Sequence, residues 1–330
     1  MSDQYAASGR GADGYECFGG SVRSLKWLGV VLVMVVLGAC NAPGNGLSGD
    51  AVRQYLREVE QWRTQRLAQL RAPEGWLSYT GSGRLKAGAY RVGSAAANDV
   101  VLPSGPADLG FLQVDRDGEA IFTAGSRAGA RINGQPLERA VLVPGVAHVS
   151  EASRVQVGDS EFYLVRTGSI LGWRYRDPQS PRRLEFTAIE HFPVDPKWNI
   201  KAQWRPFPAP KQAVLLTSIG TPLPAVVPGE AVFEVNGRSY TLQPVLDEAA
   251  PPSRRLFFLL SDRTSGRETY GGARYLYAAM PTDGVVQLDF NRAENPPCAF
   301  TPHVVCPIAP AINRLDLAVT AGEKFQYLPQ

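Results

Sequence analysis

Past residue 100, four Asx-Gly dipeptides, Asp117-Gly118, Asn133-Gly134, Asn236-Gly237 and Asp283-Gly284, punctuate this chain between short runs that alternate apolar and polar residues. Such pairs take φ > 0 readily, and that geometry matches the twist of two strands joined by a tight loop, so each predicts a β-hairpin. Strands are expected at 88–92, 100–102, 110–114, 119–123, 130–132, 141–143, 155–157 and 162–165. No helical window interrupts them, so this stretch reads as a β-sandwich. A second β-rich region follows, with strands expected at 213–219, 231–235, 239–245, 256–260, 274–278, 285–290 and 315–319. Between the two, residues 172–210 hold Trp173, Trp198, Trp204 and seven prolines, and read as an irregular connection with room for a pair of strands. The 33 glycines and 26 prolines against three methionines fit the same picture of many turns and few long helices.

One helix is nevertheless expected, over residues 50–72. Asp50 stands at the N-cap, Pro73 follows the end, and Val52, Tyr55, Leu56, Val59, Trp62, Leu67 and Leu70 recur at helical spacing. Arg53, Arg57, Glu58, Glu60, Arg63 and Arg66 fall on the other faces, so the helix is expected to lie with its apolar side against the body.

Upstream, Arg23 and Lys26 precede an apolar stretch over 27–37 that ends in Leu37-Gly38-Ala39-Cys40. That stretch is too short to span about 30 Å of hydrocarbon as a helix, and small residues precede the cysteine, which is the pattern of a bacterial lipoprotein signal. Residues 1–39 are read as the signal peptide, Cys40 as the lipid carrier and 40–49 as a tether. Because Asn41 rather than aspartate follows Cys40, the expected location is the periplasmic face of an outer membrane, with the membrane reached through lipid on Cys40. The Gly9-Arg10-Gly11-Ala12-Asp13-Gly14 string imitates a dinucleotide loop, but no strand precedes it and it leaves with the signal.

Charge and cysteine usage narrow the function classes. The formal net charge is +3, charged residues of both signs make up 20% of the chain, and no like-charge block occurs, so nucleic acid is not an expected partner. With Cys17 lost and Cys40 lipidated, Cys298 and Cys306 are the remaining thiols of an exported chain, and a disulfide between them is expected. The chain lacks G-x-x-x-x-G-K-[ST], H-E-x-x-H, C-x-x-C and, after residue 39, G-x-S-x-G, and has only His148, His191 and His303. No metal site and no cofactor are expected on that basis.

The order Arg91-Val92-Gly93-Ser94, Asn98-Asp99-Val100-Val101-Leu102-Pro103, then Ile132-Asn133-Gly134-Gln135-Pro136-Leu137 resembles a forkhead-associated domain, a β-sandwich that reads phosphothreonine. The resemblance implies that fold for 75–168. Ser94 stands where the family carries an arginine, and Ser104-Gly105-Pro106-Ala107 stands near its Ser-x-x-His, so the phosphate-binding groups are not supplied.

The densest polar stretch comes late: Asp289-Phe290-Asn291-Arg292-Ala293-Glu294-Asn295-Pro296-Pro297-Cys298-Ala299-Phe300, then Thr301-Pro302-His303 on the way to Cys306. With Gly75-Trp76-Leu77, Thr269-Tyr270, Arg274-Tyr275-Leu276, Asn313-Arg314-Leu315 and Ala321-Gly322-Glu323-Lys324, it resembles the DUF1684 family of uncharacterised bacterial and archaeal proteins. That likeness implies no activity.

The architecture expected from these residues is mainly β: an N-terminal amphipathic helix, a forkhead-associated-like sandwich over 75–168 and a C-terminal β domain over 185–330. Two function classes stay open. One is a non-catalytic envelope module that binds a small molecule or a partner protein. The other is a hydrolase whose acid/base candidates are Asp289 and Glu323, with Tyr270, Arg274, Asp289 and Asn291 as ligand-binding groups. Arg274, Asp289 and Asn291 are expected on neighbouring strands, facing one cavity beside the Cys298–Cys306 loop, with Asp289 and Asn291 flanking an inward Phe290.

Overall fold

The computed structural model describes residues 49–146, 151–247 and 255–325. The signal peptide, Cys40 and most of the tether therefore lie outside the described residues.

Helix α1 (Gly49–Arg71) forms where the apolar spacing places it. It starts one residue early: Asp50 lies in the first turn, paired with Arg53, where its charge still complements the helix dipole. Its buried face is Tyr55, Val59, Arg66 and Leu70, so Arg66 belongs to the docking side and not to a solvent face. Among the described residues, no helix is long and apolar enough to cross a membrane.

A short helical turn (Trp76–Ser78) delivers the chain into β1 (Tyr79–Leu85). There follow β2 (Gly88–Gly93), β3 (Val100–Val101), β4 (Gly110–Val114), β5 (Ala120–Ala124), β6 (Arg131–Ile132) and β7 (Gln135–Pro136). Then come β8 (Arg139–Val141), β9 (Gly145–Val146), β10 (Arg154–Val157), β11 (Ser160–Thr167) and β12 (Ile170–Arg176). They build one sheet ordered β1-β12-β11-β10-β6-β7, with β9 alongside β11, and a second ordered β3-β2-β4-β5-β8. Val92, Leu112 and Phe122 of the second sheet pack with Phe162, Leu164 and Tyr175 of the first in one fully buried core. Four strands of this sandwich, β1, β7, β9 and β12, lie outside the sequence-predicted set. β1 precedes the first expected strand, and β12 carries Gly172, whose pairing with β1 and β11 outweighs its weak local preference.

The second region begins with α2 (Pro181–Glu185) and continues through β13 (Asn199–Leu216), β14 (Pro222–Val235), β15 (Arg238–Leu242) and β16 (Val245–Asp247). It ends in β17 (Arg255–Leu260), β18 (Arg274–Ala279) and β19 (Val285–Asp289). A four-stranded sheet, β15-β14-β13-β19, packs on a three-stranded one, β16-β17-β18, over Phe233, Phe258, Leu276, Leu288 and Phe290. Of the 172–210 stretch read as an irregular connection with room for a pair of strands, residues 172–176 lie in β12 and 199–210 form the first part of β13. Pro206, Pro208 and Pro210 have no N–H to donate, so its ladder with β14 breaks between Pro206 and Lys211 and then resumes. The strand expected at 315–319 does not form: Arg314 makes one isolated bridge to Ser261.

Three of the four Asx-Gly pairs hold φ > 0 at both residues, at 50° and 76° for Asn133-Gly134, 53° and 74° for Asn236-Gly237, and 51° and 73° for Asp283-Gly284. At Asp117-Gly118 only the glycine is positive, because the Asp115 carboxylate accepts from the backbone of Asp117 (2.9 Å) and Glu119 (2.8 Å) and shapes the turn instead.

The two β regions share a third core. Tyr79 and Tyr163 of the sandwich are buried together with Leu215, Val227, Leu259, Tyr275 and Cys306 of the second region. A fourth, smaller cluster seals the end of α1, where Leu70 and Leu77 meet Phe186, Ile189 and Phe300. Full burial of each such side chain is worth about 1.5–3 kcal/mol, so this seam is fixed rather than a loose contact.

Candidate functional site

Four of the five groups singled out in the sequence, Arg274, Asp289, Asn291 and Glu323, are brought into three separate hydrogen-bonded networks, and Tyr270 lies beside one of them. Arg274, at the start of β18 and 1% exposed, donates to Asp262 Oδ2 at 2.7 Å, to the Val319 carbonyl at 2.9 Å and to the Ala321 carbonyl. Asp262 in turn accepts from the backbone and hydroxyl of Thr264. The expected pairing of Arg274 with Asp289 is therefore corrected: the arginine is satisfied by a carboxylate from the loop after β17, and β18 and β19 belong to different sheets. Tyr270, beside this network, packs on Phe325 at 5.5 Å between ring centres.

Asp289 ends β19 and caps the helical turn Phe290–Arg292 by accepting from the Asn291 backbone. The D-F-N string is thus a strand end plus a turn, not three strand positions. The turn still brings Asp289 and Asn291 together, onto a helix residue that spacing could not reveal: Tyr55 donates its hydroxyl to Asp289 Oδ1 at 2.6 Å and accepts from Asn291 Nδ2 at 2.9 Å. Asn291 also bonds the backbone of Asp195 through both its amide groups. Burial raises the Asp289 carboxyl above its ordinary range, against the opposing pull of the Tyr55 hydrogen bond and Arg292. Phe290 is wedged between Trp198 and Phe233.

Glu323 forms the third network. Its Oε1 accepts from Arg66 Nε at 2.9 Å and its Oε2 from the Asn295 backbone at 2.7 Å, while Glu294 lies 3.4 Å from the same guanidinium. Arg66 also donates to the Asn295 carbonyl. Burial raises both carboxyls, and Glu294 is pushed up to about 7. Gly322 explains the A-G-E-K string: its φ is +80° and a Cβ there would lie 2.4 Å from the Ala293 carbonyl oxygen, so only glycine lets Glu323 reach Arg66.

These networks hold α1 and the late loops to the second β region. No cluster of three metal-ligating side chains occurs among the described residues.

The place that is open lies elsewhere, at the seam. Cys298 and Cys306 form the disulfide expected from their isolation, with Cα atoms 6.2 Å apart. The loop it closes leans on β1: Thr301 donates to the Tyr79 carbonyl at 3.0 Å, and His303 Nδ1 lies 3.1 Å from Ser82 Oγ. Between this loop and the sheet is a cleft of about 160 Å³, lined by Ser82, Arg84, Val165, Gly172, Arg174 and His303 among others. The register puts them there: Ser82 pairs with Arg174 and Arg84 with Gly172, so all four share the outer face of the sheet. Gly172 is the floor, and a Cβ there would sit 2.8 Å from the Gly83 carbonyl. Burial, with the nearby Arg182 charge, holds the His303 imidazole below its ordinary pKa. His303 was legible as part of a rigid loop, whereas Ser82, Arg84 and Arg174 carry no motif and meet it only through the packing of one region on the other.

Residues 184–324 match the model of the family described as "Protein of unknown function (DUF1684)", and this part of the chain belongs to that family. The solution NMR structure of an uncharacterised protein from gene locus rrnAC0354 of Haloarcula marismortui is 32% identical, over 45% of this chain and 82% of that one, with a TM-score of 0.37. No curated protein matches the chain.

Proposed function

We propose that this chain, a DUF1684 protein through residues 184–324, is a non-catalytic binding module of the cell envelope whose ligand sits in the seam cleft. The observation that carries the reading is the Ser82–His303 contact across the seam, which sets the mouth of an open cleft while the acidic candidates Asp289 and Glu323 are engaged by Tyr55 and Arg66. A preformed concavity with a few polar groups among apolar walls is the usual form of a small-molecule site. A thermal-shift screen of the full chain against metabolites tests it, because a ligand that binds only the folded state raises Tm. The expected result is a compound that stabilises the wild type but not Ser82→Trp, which plugs the mouth from an exposed position. A screen in which nothing stabilises the wild type would retire the reading.

A hydrolase is the second reading, and its support has moved from Asp289 and Glu323 to the same Ser82–His303 pair, a hydroxyl within 3.1 Å of an imidazole. Among the described residues no carboxylate orients the other ring nitrogen of His303, which favours binding over catalysis. Covalent labelling of Ser82 by a fluorophosphonate, lost in His303→Ala, would reverse that preference.

The envelope location rests on the signal pattern ending at Cys40. Cys40→Ser is expected to abolish lipidation, and metabolic labelling with a fatty-acid analogue reads the outcome. The sandwich is read as forkhead-associated-like but silent toward phosphothreonine: Ser94 donates its hydroxyl to the Gly105 carbonyl at 2.8 Å, and Asn98 spends its amide on the Ala107 carbonyl at 2.7 Å. Micromolar binding of a phosphothreonine peptide that vanishes on dephosphorylation would contradict this.

A further inference from the structure

The cleft has a charge that its shape alone does not convey. Arg84 and Arg174 reach it from adjacent strands on one face of the sheet, and none of its lining residues is acidic. Other arginines of the same sheet are treated differently: Arg154 and Arg176 both close on Glu161, at 2.8 Å each. Among the described residues, Arg84 and Arg174 make no ion pair. A third guanidinium, Arg182, stands behind His303, held by the Thr301 hydroxyl at 3.2 Å. Val165, Ile170, Ile219 and Val304 supply the apolar part of the wall. Unpaired guanidiniums beside low-dielectric walls concentrate positive potential, and each can offer two parallel donors to an oxyanion.

We propose that the seam cleft binds a small organic anion, with its oxyanion head held between Arg84 and Arg174 and a short apolar body against Val165 and Ile170. This deepens the binding-module reading and rests on it. Carboxylate and phosphate monoester share the required chemistry, and a cleft of about 160 Å³ is close to the size of cavity that accepts one benzene ring, so a chain of a few carbons fits. Ser82 and Thr167 add hydroxyls that orient the head without adding charge.

The test is calorimetric titration of the full chain at low ionic strength with inorganic phosphate, propyl phosphate, butyrate and neutral butyramide. At least one organic anion is expected to bind saturably, with butyramide about tenfold weaker or worse, the cost of losing one charge-assisted hydrogen bond. A preference for propyl phosphate over butyrate, or the reverse, identifies the head group. Arg84→Gln and Arg174→Gln should each weaken the anion about tenfold, and added salt should weaken it further. Arg127→Gln removes the same charge from an exposed loop outside the lining and should leave affinity unchanged. Equal binding of butyrate and butyramide, or wild-type affinity in the double variant, overturns the anion assignment while leaving the binding-module reading intact. Silence of all four probes also overturns it, and the broader metabolite screen then decides whether the reading itself fails.

Discussion

Arg274 and Asp262 are each other's partner, with Nη1 2.7 Å from Oδ2 and both side chains closed to solvent. That one pair removes Arg274 from the set of groups available to a ligand and turns the R-Y-L string into a structural element. The same holds for the others: Asp289 and Asn291 are spent on Tyr55, and Glu323 on Arg66.

Asp262→Asn is expected to destabilise the protein by about 3–5 kcal/mol, because the arginine charge is left buried without its counter-ion. Asp289→Asn should cost only about 1 kcal/mol, since an amide oxygen still accepts from Tyr55 and Arg292 keeps solvent contact. Urea unfolding of the two variants side by side measures the order. An Asp289→Asn loss as large as that of Asp262→Asn would refute the assignment of partners.

The contribution of Glu294 to stability is expected to fall as pH rises from 5.5 to 8, opposed over the same range by His191, whose imidazole pKa burial holds down to about 4. Glu294 carries a folded-state pKa raised from 4.5 to about 7, chiefly by burial. The folded state therefore holds this proton more tightly than the unfolded chain. The resulting stability is fully present below about pH 4.5 and is lost as pH climbs through 7, a change of about 2 kcal/mol over that interval. Glu294→Gln should flatten the dependence, and urea midpoints at the two pH values read it directly.

Reducing the Cys298–Cys306 bond should cost about 2–3 kcal/mol, from the loop-closure entropy of so short a ring. The loop also carries Pro302 to Val305, one wall of the cleft, so ligand-induced stabilisation should shrink with it. Thermal unfolding with and without reductant, in the presence and absence of ligand, separates the two effects.

Tyr55→Phe deletes a hydroxyl that serves Asp289 and Asn291 at once, and is expected to cost about 1–2 kcal/mol. The loss should concentrate in α1, whose amide protons should exchange faster than those of β17 and β18. Uniform exchange across the chain would argue against a docked helix held by this contact.

Much of the fold was written locally. Asx-Gly pairs at 133, 236 and 283 carry their own φ > 0 preference, apolar alternation marks β4 and the last five residues of β14 without reference to anything distant, and α1 follows from its 3.6-residue period. Cys298 and Cys306, expected to pair, do so. Strands β1, β7, β9 and β12 were not legible; in β1 and β12 what stabilises Gly81 and Gly172 as strand is cross-strand pairing.

Partner choice was decided only in three dimensions. The sequence shows that Arg66, Arg274, Asp289 and Glu323 are charged, but a charge on one element can be satisfied by any element packed against it. Arg66 lies 257 positions from Glu323, and Tyr55 lies 234 from Asp289. Local spacing assigned Arg66 to solvent, and burial of α1 on the second β region reversed that. The cleft is the same case in mirror image: Ser82, Arg84 and Arg174 carry no motif along the chain, and a cleft forms because a disulfide-closed loop from late in the sequence comes to rest beside them.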